Sequence, residues 1–314
     1  MSFKLTILGS SGALPAHGRF PTSQYLVIQN HHFLIDCGEG TQMQLLRYKI
    51  PIHKIDRIFI SHLHGDHYLG LMGLLFSMHL QRRTSELHLH SPRGLDEIIL
   101  LQLKYSKSVL NFEIKFHSFD PQTSTLLLND NTLTVETIPL IHKLPCAGFL
   151  FKEKRKPVKL NKENLKPGML LEHIAQLKKG DDVVDENGKM LYRNADHTLP
   201  PLPSYSFAFC SDTAWNARMI EQIRAVTLLY HEATFMEDEK EKAHETKHST
   251  AREAATMAKQ AGVEKLLIGH FSARYQILEP LLQEAKEVFF NTELAIEGTT
   301  FELPYDTSAG PEEK

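Results

Sequence analysis

Ser61-His62-Leu63-His64-Gly65-Asp66-His67-Tyr68-Leu69-Gly70 places three imidazoles and a carboxylate within six residues. Imidazole nitrogen and carboxylate oxygen are the donors that zinc takes in catalytic sites. The apolar run Ile55–Ile60 precedes them and reads as a strand covered on both faces. Leu69–Leu80 follows and reads as a mostly buried helix. The donors therefore sit on one tight strand-to-helix loop. His62 and His64 alternate along an extended segment and point the same way. Asp66 and His67 are adjacent and must diverge, which suits a second metal beside the first. Gly65 and Gly70 let the backbone turn tightly around the ions.

One loop cannot complete two sites, because each needs three or more protein ligands and a position for water or substrate. The missing donors are expected at the ends of other strands. His142 follows the run Thr132–Ile138, Asp212 follows Ser206–Cys210, and His270 follows Lys265–Ile268. A carboxylate at Asp212 could bridge the two metals.

These residues need a scaffold, and the chain can build one. It has 314 residues, 42% of them hydrophobic and 23% charged, which excludes a disordered or collagen-like chain. No apolar run reaches the ~20 residues of a membrane span. The N-terminus lacks the basic and apolar regions of a secretory signal. Cys37, Cys146 and Cys210 are far apart and odd in number, as expected of buried thiols in a reducing, cytoplasmic setting.

Short strands are expected at Phe3–Leu8, Tyr25–Ile28, Phe33–Asp36, Ile55–Ile60, Leu87–His90, Glu113–Ser118, Thr125–Leu128, Thr132–Ile138 and Ala147–Phe151. Helices are expected at Glu39–Tyr48 and Gly94–Tyr105. A second α/β series follows, with strands at Ser206–Cys210, Val226–Tyr230, Lys265–Ile268, Leu294–Ile296 and Thr299–Leu303. Its helices are expected at Ala214–Ile223, Thr250–Ala261 and Ile277–Val288. Strands and helices in both halves imply sheets sandwiched between helical layers. Residues 304–314 read as a frayed tail.

Between the halves, 152–193 is polar and punctuated by Pro and Gly. Lys152–Lys179 holds nine Lys/Arg against three Glu, in a protein of net charge −3. So long a connection is a functional insertion or a disordered loop.

Ser61–Gly70, His142, Ser211-Asp212-Thr213 and Gly269-His270-Phe271 together resemble the metallo-β-lactamase superfamily. More narrowly, the chain resembles the short-form ribonuclease Z family of tRNA 3′-processing endonucleases. That likeness rests on Ile35-Asp36-Cys37-Gly38-Glu39-Gly40-Thr41-Gln42, on His231-Glu232-Ala233-Thr234 and on His248-Ser249-Thr250. It spans roughly Leu5 to Leu303.

The resemblance implies a four-layer αββα sandwich of residues 1–303, with 152–193 as an inserted tRNA-binding arm. It implies two zinc ions per subunit, although the same donors accept manganese or iron. Site one would draw on His62, His64, His142 and Asp212, and site two on Asp66, His67, Asp212 and His270. Asp66 would also accept a proton. His248, oriented by Glu232, would protonate the leaving oxygen; Thr250-Ala251-Arg252-Glu253 reads as a capping box just after it. Precursor tRNA is the implied substrate, cut to a 3′-hydroxyl and a trailer with a 5′-phosphate, by a homodimer in the cytoplasm.

RNA contacts are expected from Arg19, Lys154, Arg155, Lys156, Lys159 and Lys162, with Ser10, Ser11, Arg252 and Arg274 as further candidates. Two stretches depart from the family. Its Pro-x-Lys-x-Arg-Asn pattern reads Pro15-Ala16-His17-Gly18-Arg19-Phe20 here, and the Gly-Pro pair of its arm reads Pro167-Gly168. Two other functions fit the same residues: hydrolysis of small phosphodiesters or (thio)esters on this fold, and inactive RNA binding.

Overall fold

The computed structural model describes residues 3–304, so the tail expected from 304 onward lies outside the described residues except for Pro304. In chain order the strands are β1 (Phe3–Gly9), β2 (Ser23–Ile28), β3 (His31–Ile35), β4 (Arg57–Phe59), β5 (Leu87–Pro92), β6 (Ile114–Phe119), β7 (Leu126–Asn129), β8 (Leu133–Pro139) and β9 (Ala147–Glu153). They continue as β10 (Lys159–Leu160), β11 (Val183–Val184), β12 (Met190–Tyr192), β13 (Thr198–Leu199), β14 (Ser206–Cys210), β15 (Leu228–Glu232), β16 (Lys265–Gly269), β17 (Thr292–Leu294) and β18 (Thr300–Leu303).

Two seven-stranded sheets carry the fold, ordered β18-β1-β2-β3-β4-β5-β6 and β17-β16-β15-β14-β9-β8-β7. In the first, β3 to β6 run parallel. In the second, β14 to β17 run parallel, and β9 pairs antiparallel with both β8 and β14.

The inner faces meet in an aromatic core that includes Phe33, Phe59, Phe149, Phe151, Phe207, Phe209 and Tyr230. Outside the first sheet, Leu45, Leu71, Leu74, Leu75, Leu95 and Ile99 bury the helices Thr41–Arg47, Leu71–Leu80 and Leu95–Tyr105. Outside the second, an alanine-rich face of Ala251–Ala261 lets that helix approach closely, beside Leu281 and Ala285 of Glu279–Lys286. This is the expected αββα layering. Phe59 touches Phe33, Phe149 and Phe151 at ring distances of 5.8, 5.4 and 5.5 Å. Phe59→Ala is therefore expected to cost about 3–5 kcal/mol, read as a lower urea midpoint for unfolding.

One helix is much shorter than expected. Ala214–Ile223 shrinks to Met219–Gln222. The backbone before it is used elsewhere: Thr213 N–H donates to the Glu232 carboxylate and Ala214 N–H to the Ile141 carbonyl (2.9 Å). Within the metal loop Gly65–Tyr68 forms a single helical turn, and the helix expected at Leu69–Leu80 runs Leu71–Leu80.

The insertion is folded rather than a bare loop. It pairs β10 with β13 and β11 with β12, joins neither large sheet, and packs the helix Leu171–Lys179 through buried Leu177 and Val183. It closes at β13, within the proline-rich stretch 196–203 that follows 152–193. Its root is at Glu153, the far end of β9. The near end of β9 lies at the metal loop, where Ala147 N–H donates to the Ser61 carbonyl (3.2 Å). A strand of this length spans about 20 Å, so the arm leaves the opposite end of the sheet from the histidines.

Candidate metal centre

Asp36, Ser61, His142, Asp212 and His270 follow β3, β4, β8, β14 and β16, at one edge of the sandwich. Asp36, Asp212 and His270 take the left-handed backbone region, with φ of 53°, 62° and 57°. Such a conformation costs a non-glycine residue of order 1 kcal/mol or more and persists where the surroundings over-determine it. Here it turns each side chain off its strand end toward a common point.

Two donor clusters result, and a third group of Asp212, His248 and His270 overlaps them. His62, His64, His142 and Asp212 form one, with donor atoms within 4.8 Å of each other; Asp66, His67 and His270 form the second on the same criterion. In the first, His62 Nε2 and His142 Nε2 lie 2.9 and 3.2 Å from His64 Nδ1, and 3.7 Å each from Asp212 Oδ2. In the second, Asp212 Oδ1 lies 3.2 Å from His67 Nε2 and 3.1 Å from His270 Nε2. Asp66 Oδ2 lies 3.4 and 3.6 Å from those two nitrogens.

Asp212 thus presents one oxygen to each cluster. Ligands around a tetrahedral zinc stand about 3.3 Å apart, and these separations bracket that value. His67 Nε2 and His270 Nε2 are buried without a hydrogen-bond partner. Buried polar atoms are rarely left so, and the donor set fits a pair of cations.

The other ring nitrogens are fixed from behind. His67 Nδ1–H donates to Asp36 Oδ2 (2.7 Å), which also accepts from Ser61 Oγ (2.9 Å), while Ser61 N–H donates to Oδ1 (2.7 Å). His142 Nδ1–H donates to the Lys247 carbonyl (3.0 Å). Thr234 Oγ1 donates to Glu232 and accepts from His270 Nδ1–H (2.9 Å). Each bond leaves Nε2 bare toward the cluster, the arrangement that sets tautomer and basicity in metal sites. Sequence reading gave no role to Asp36 or Thr234. Asp36 was signalled only by its place in the motif 35–42, and Thr234 only by following Glu232.

Charge supports the same picture. Burial alone would raise the Asp212 carboxyl, but His270, His67 and His62 outweigh it and hold it well below the usual carboxylate range. Asp66 is lowered too, against its burial, by His67 and His270. Burial lowers His62 well below the ordinary histidine value, and lowers His64 and His142. His62, His64 and His142 are thus neutral and both carboxylates ionised, the metal-ready forms. Asp212, Asp66 and Asp36 instead raise His67 well above the ordinary histidine value against its burial, so that a metal there would take the place of its proton.

Glu232 is fully buried and receives the Thr213 and Ser249 N–H groups besides Thr234. His248 Nδ1 lies 2.9 Å from its Oε1, with a 15% exposed side chain. Against its burial, Glu232 pushes the His248 imidazole up to about 9. The capping box at Thr250 and Glu253 is present. The His248 ring stacks 5.3 Å from His270 and lies 5.0 Å from His142. His64, His142, Asp212, Asp66, His270 and His248 line one open cleft of about 380 Å³, with Ala13 and Lys143 also in its walls and His62 and His67 buried behind it.

Several expected RNA contacts are placed differently. Arg19 is buried and donates to the Tyr275 carbonyl (2.6 Å), so it pins its loop instead of facing solvent. Lys156 is buried against Glu153 (2.7 Å) and donates to the Pro203 carbonyl (2.8 Å). Ser10 and Ser11 are buried, their hydroxyls donating to Glu297 and the Leu14 carbonyl. Arg252 pairs with Glu287, and Arg274 with Glu239 over the Phe235 ring. Lys154, Arg155, Lys159 and Lys162 are exposed.

Gly12 touches the centre through its lack of a side chain. A Cβ there would stand 2.8 Å from His270 Cε1 and 2.9 Å from Nδ1. Gly12→Ala must therefore displace His270. It is expected to lower activity by about 10–100-fold and to reduce the metal bound per chain, measured by elemental analysis.

A family model described as Anti-Pycsar protein Apyc1 matches residues 3–155, which takes in the metal loop and His142 but stops before Asp212, Glu232, His248 and His270. A protein of Cytophaga hutchinsonii named ribonuclease Z is 49% identical over 301 residues, covering 96% of each chain. Another of that name, from Bacteroides fragilis, is 44% identical and covers 96% of this chain and 99% of its own. Among solved structures, the human short form of tRNase Z superposes with a TM-score of 0.70 at 25% identity, over 96% of this chain and 99% of that one.

Proposed function

The chain belongs to the ribonuclease Z family, and from that premise we propose that it removes the 3′ trailer from precursor tRNA as a zinc-dependent endoribonuclease. Cleavage leaves a 3′-hydroxyl on the tRNA and a 5′-phosphate on the trailer. The observation that carries the reading is the convergence of two donor clusters on Asp212, with the Glu232–His248 pair on the same cleft.

His62, His64, His142 and Asp212 would hold one zinc ion; Asp66, His67, His270 and Asp212 would hold the other. When bound, such a pair polarises the phosphoryl oxygens and makes water acidic near neutral pH. Asp66, fixed by the Ala13 N–H (2.8 Å), takes the proton of the attacking water. As the water oxygen joins phosphorus, the bond to the tRNA 3′-oxygen breaks. His248 gives that oxygen its proton, and Glu232 keeps His248 charged and oriented beforehand.

The exposed Lys154, Arg155, Lys159 and Lys162 supply charge for a phosphate backbone. Because the arm is rooted at the far end of β9, it suits an RNA held at a second subunit's cleft, which supports a homodimer. No helix among the described residues is long and apolar enough to cross a membrane. The three buried, unpaired cysteines support a reducing, cytoplasmic setting.

Replacing Lys159 and Lys162 with glutamate tests the RNA part of this reading. We expect KM for precursor tRNA to rise by an order of magnitude or more, with a shallower salt dependence, while hydrolysis of bis(p-nitrophenyl) phosphate is unchanged. Equal loss on both substrates would contradict a role for the arm in RNA binding.

A further inference from the structure

Leu63 stands between two metal-binding histidines, yet it does not line the metal cleft. It lines a second cavity of about 480 Å³. The loop after β8 divides in the same way: His142 and Lys143 face the cleft, and Leu144 and Pro145 face the cavity. The two concavities therefore share both loops as a common wall. The remaining walls come from the ends of β5 and β6, as Pro92, Phe119 and Pro121.

These walls have the chemistry of a stacking slot. Pro145 and Leu144 are exposed at the cavity, and buried Pro92, Pro121 and Phe119 back it with stiff apolar surface. The polar groups are few: Arg93, Asp120 and Gln122. Arg93 is exposed and has no ion-pair or hydrogen-bond partner among the described residues. Asp120 Oδ1 accepts the Gln122 N–H (3.0 Å), which fixes the carboxylate at the rim. An apolar cavity of some hundreds of cubic ångströms with a few convergent polar groups is the usual form of a small-ligand site. A double helix cannot enter one; an unpaired base turned out of its strand can.

We propose that this cavity receives one unpaired nucleobase of the trailer, close to the scissile phosphate, with Arg93 against the neighbouring backbone phosphate. The inference rests on the ribonuclease reading. The side of the cut follows from the walls. His248, which serves the tRNA 3′-oxygen, belongs to the second-sheet wall of the cleft, between His142 and His270. The strand leaving the phosphate in the other direction meets the first-sheet wall, where Leu63 and the ends of β5 and β6 lie.

The test uses precursor tRNAs with a single abasic residue at each of the first trailer positions and at the last position of the tRNA. Cleavage rates are compared for wild type, Arg93→Ala and Leu144→Ser; Leu144 is 38% exposed, so neither substitution opens the core. We expect wild type to lose about tenfold in kcat/KM at one trailer position, the size of one base-stacking contact. Leu144→Ser should lose a similar factor on intact RNA and nothing further on that abasic RNA, whereas Arg93→Ala, which loses a phosphate contact, should weaken cleavage of both.

Indifference of wild type to every abasic trailer position overturns the proposal, as does a penalty confined to the tRNA side or one that Leu144→Ser retains in full. Failure of the underlying reading looks different. Metal-loaded protein that hydrolyses bis(p-nitrophenyl) phosphate but cuts no precursor would remove the ribonuclease function, and the subsite with it.

Discussion

Asp212→Ala is expected to abolish phosphodiester hydrolysis, with a loss on the order of 10³-fold or more in kcat and at least one metal lost per chain. The reason is the geometry of one carboxylate. Oδ2 stands 3.7 Å from His62 and His142, and Oδ1 3.2 and 3.1 Å from His67 and His270. Removing it takes a donor from both clusters at once and leaves the five histidines with Asp66, in the second cluster, as the one carboxylate among these donors. Asp212→Asn keeps the shape and loses the charge. It should retain more metal than alanine while remaining inactive. Metal stoichiometry and turnover of bis(p-nitrophenyl) phosphate read both effects without involving RNA binding.

His248→Ala is expected to lower kcat for precursor tRNA by about 10²–10⁴-fold, with metal content and KM near wild type. His248 faces the cleft from the side and is held by Glu232, not needed to complete either cluster. The loss should shrink on a substrate whose leaving group departs without a proton, such as bis(p-nitrophenyl) phosphate. Glu232 raises the His248 pKa, so the imidazole is protonated through neutral pH and activity falls as pH rises through that pKa. Glu232→Gln removes the raising charge. The alkaline limb of the rate profile should then move to lower pH, and an unmoved limb would separate Glu232 from proton delivery.

The fold was legible because apolar strands and amphipathic helices alternate in both halves of the chain. The convergence of the seven candidate donors was legible for a local reason: each follows an apolar run, and strand ends in such a sandwich gather at one edge. Asp36 was harder. Its carboxylate acts on His67 from 31 residues away, and no spacing rule joins the two. Lys156 read as one more arm lysine. Its burial depends on Glu153 and on Pro203, which returns across the whole insertion. Arg19 likewise depends on the Tyr275 carbonyl, 256 residues away. Ala214–Ile223 has a helical pattern, but Glu232 and Ile141 recruit the N–H groups of Thr213 and Ala214.

The most direct measurement is cleavage of a precursor tRNA bearing a 3′ trailer, by wild type and Asp66→Ala, with both new ends mapped at nucleotide resolution. The account predicts one cut at the junction of tRNA and trailer, a 3′-hydroxyl on the tRNA, a 5′-phosphate on the trailer, and no cut by the mutant. Metal-loaded wild type that leaves the precursor whole, or that yields a 3′-phosphate, would contradict it.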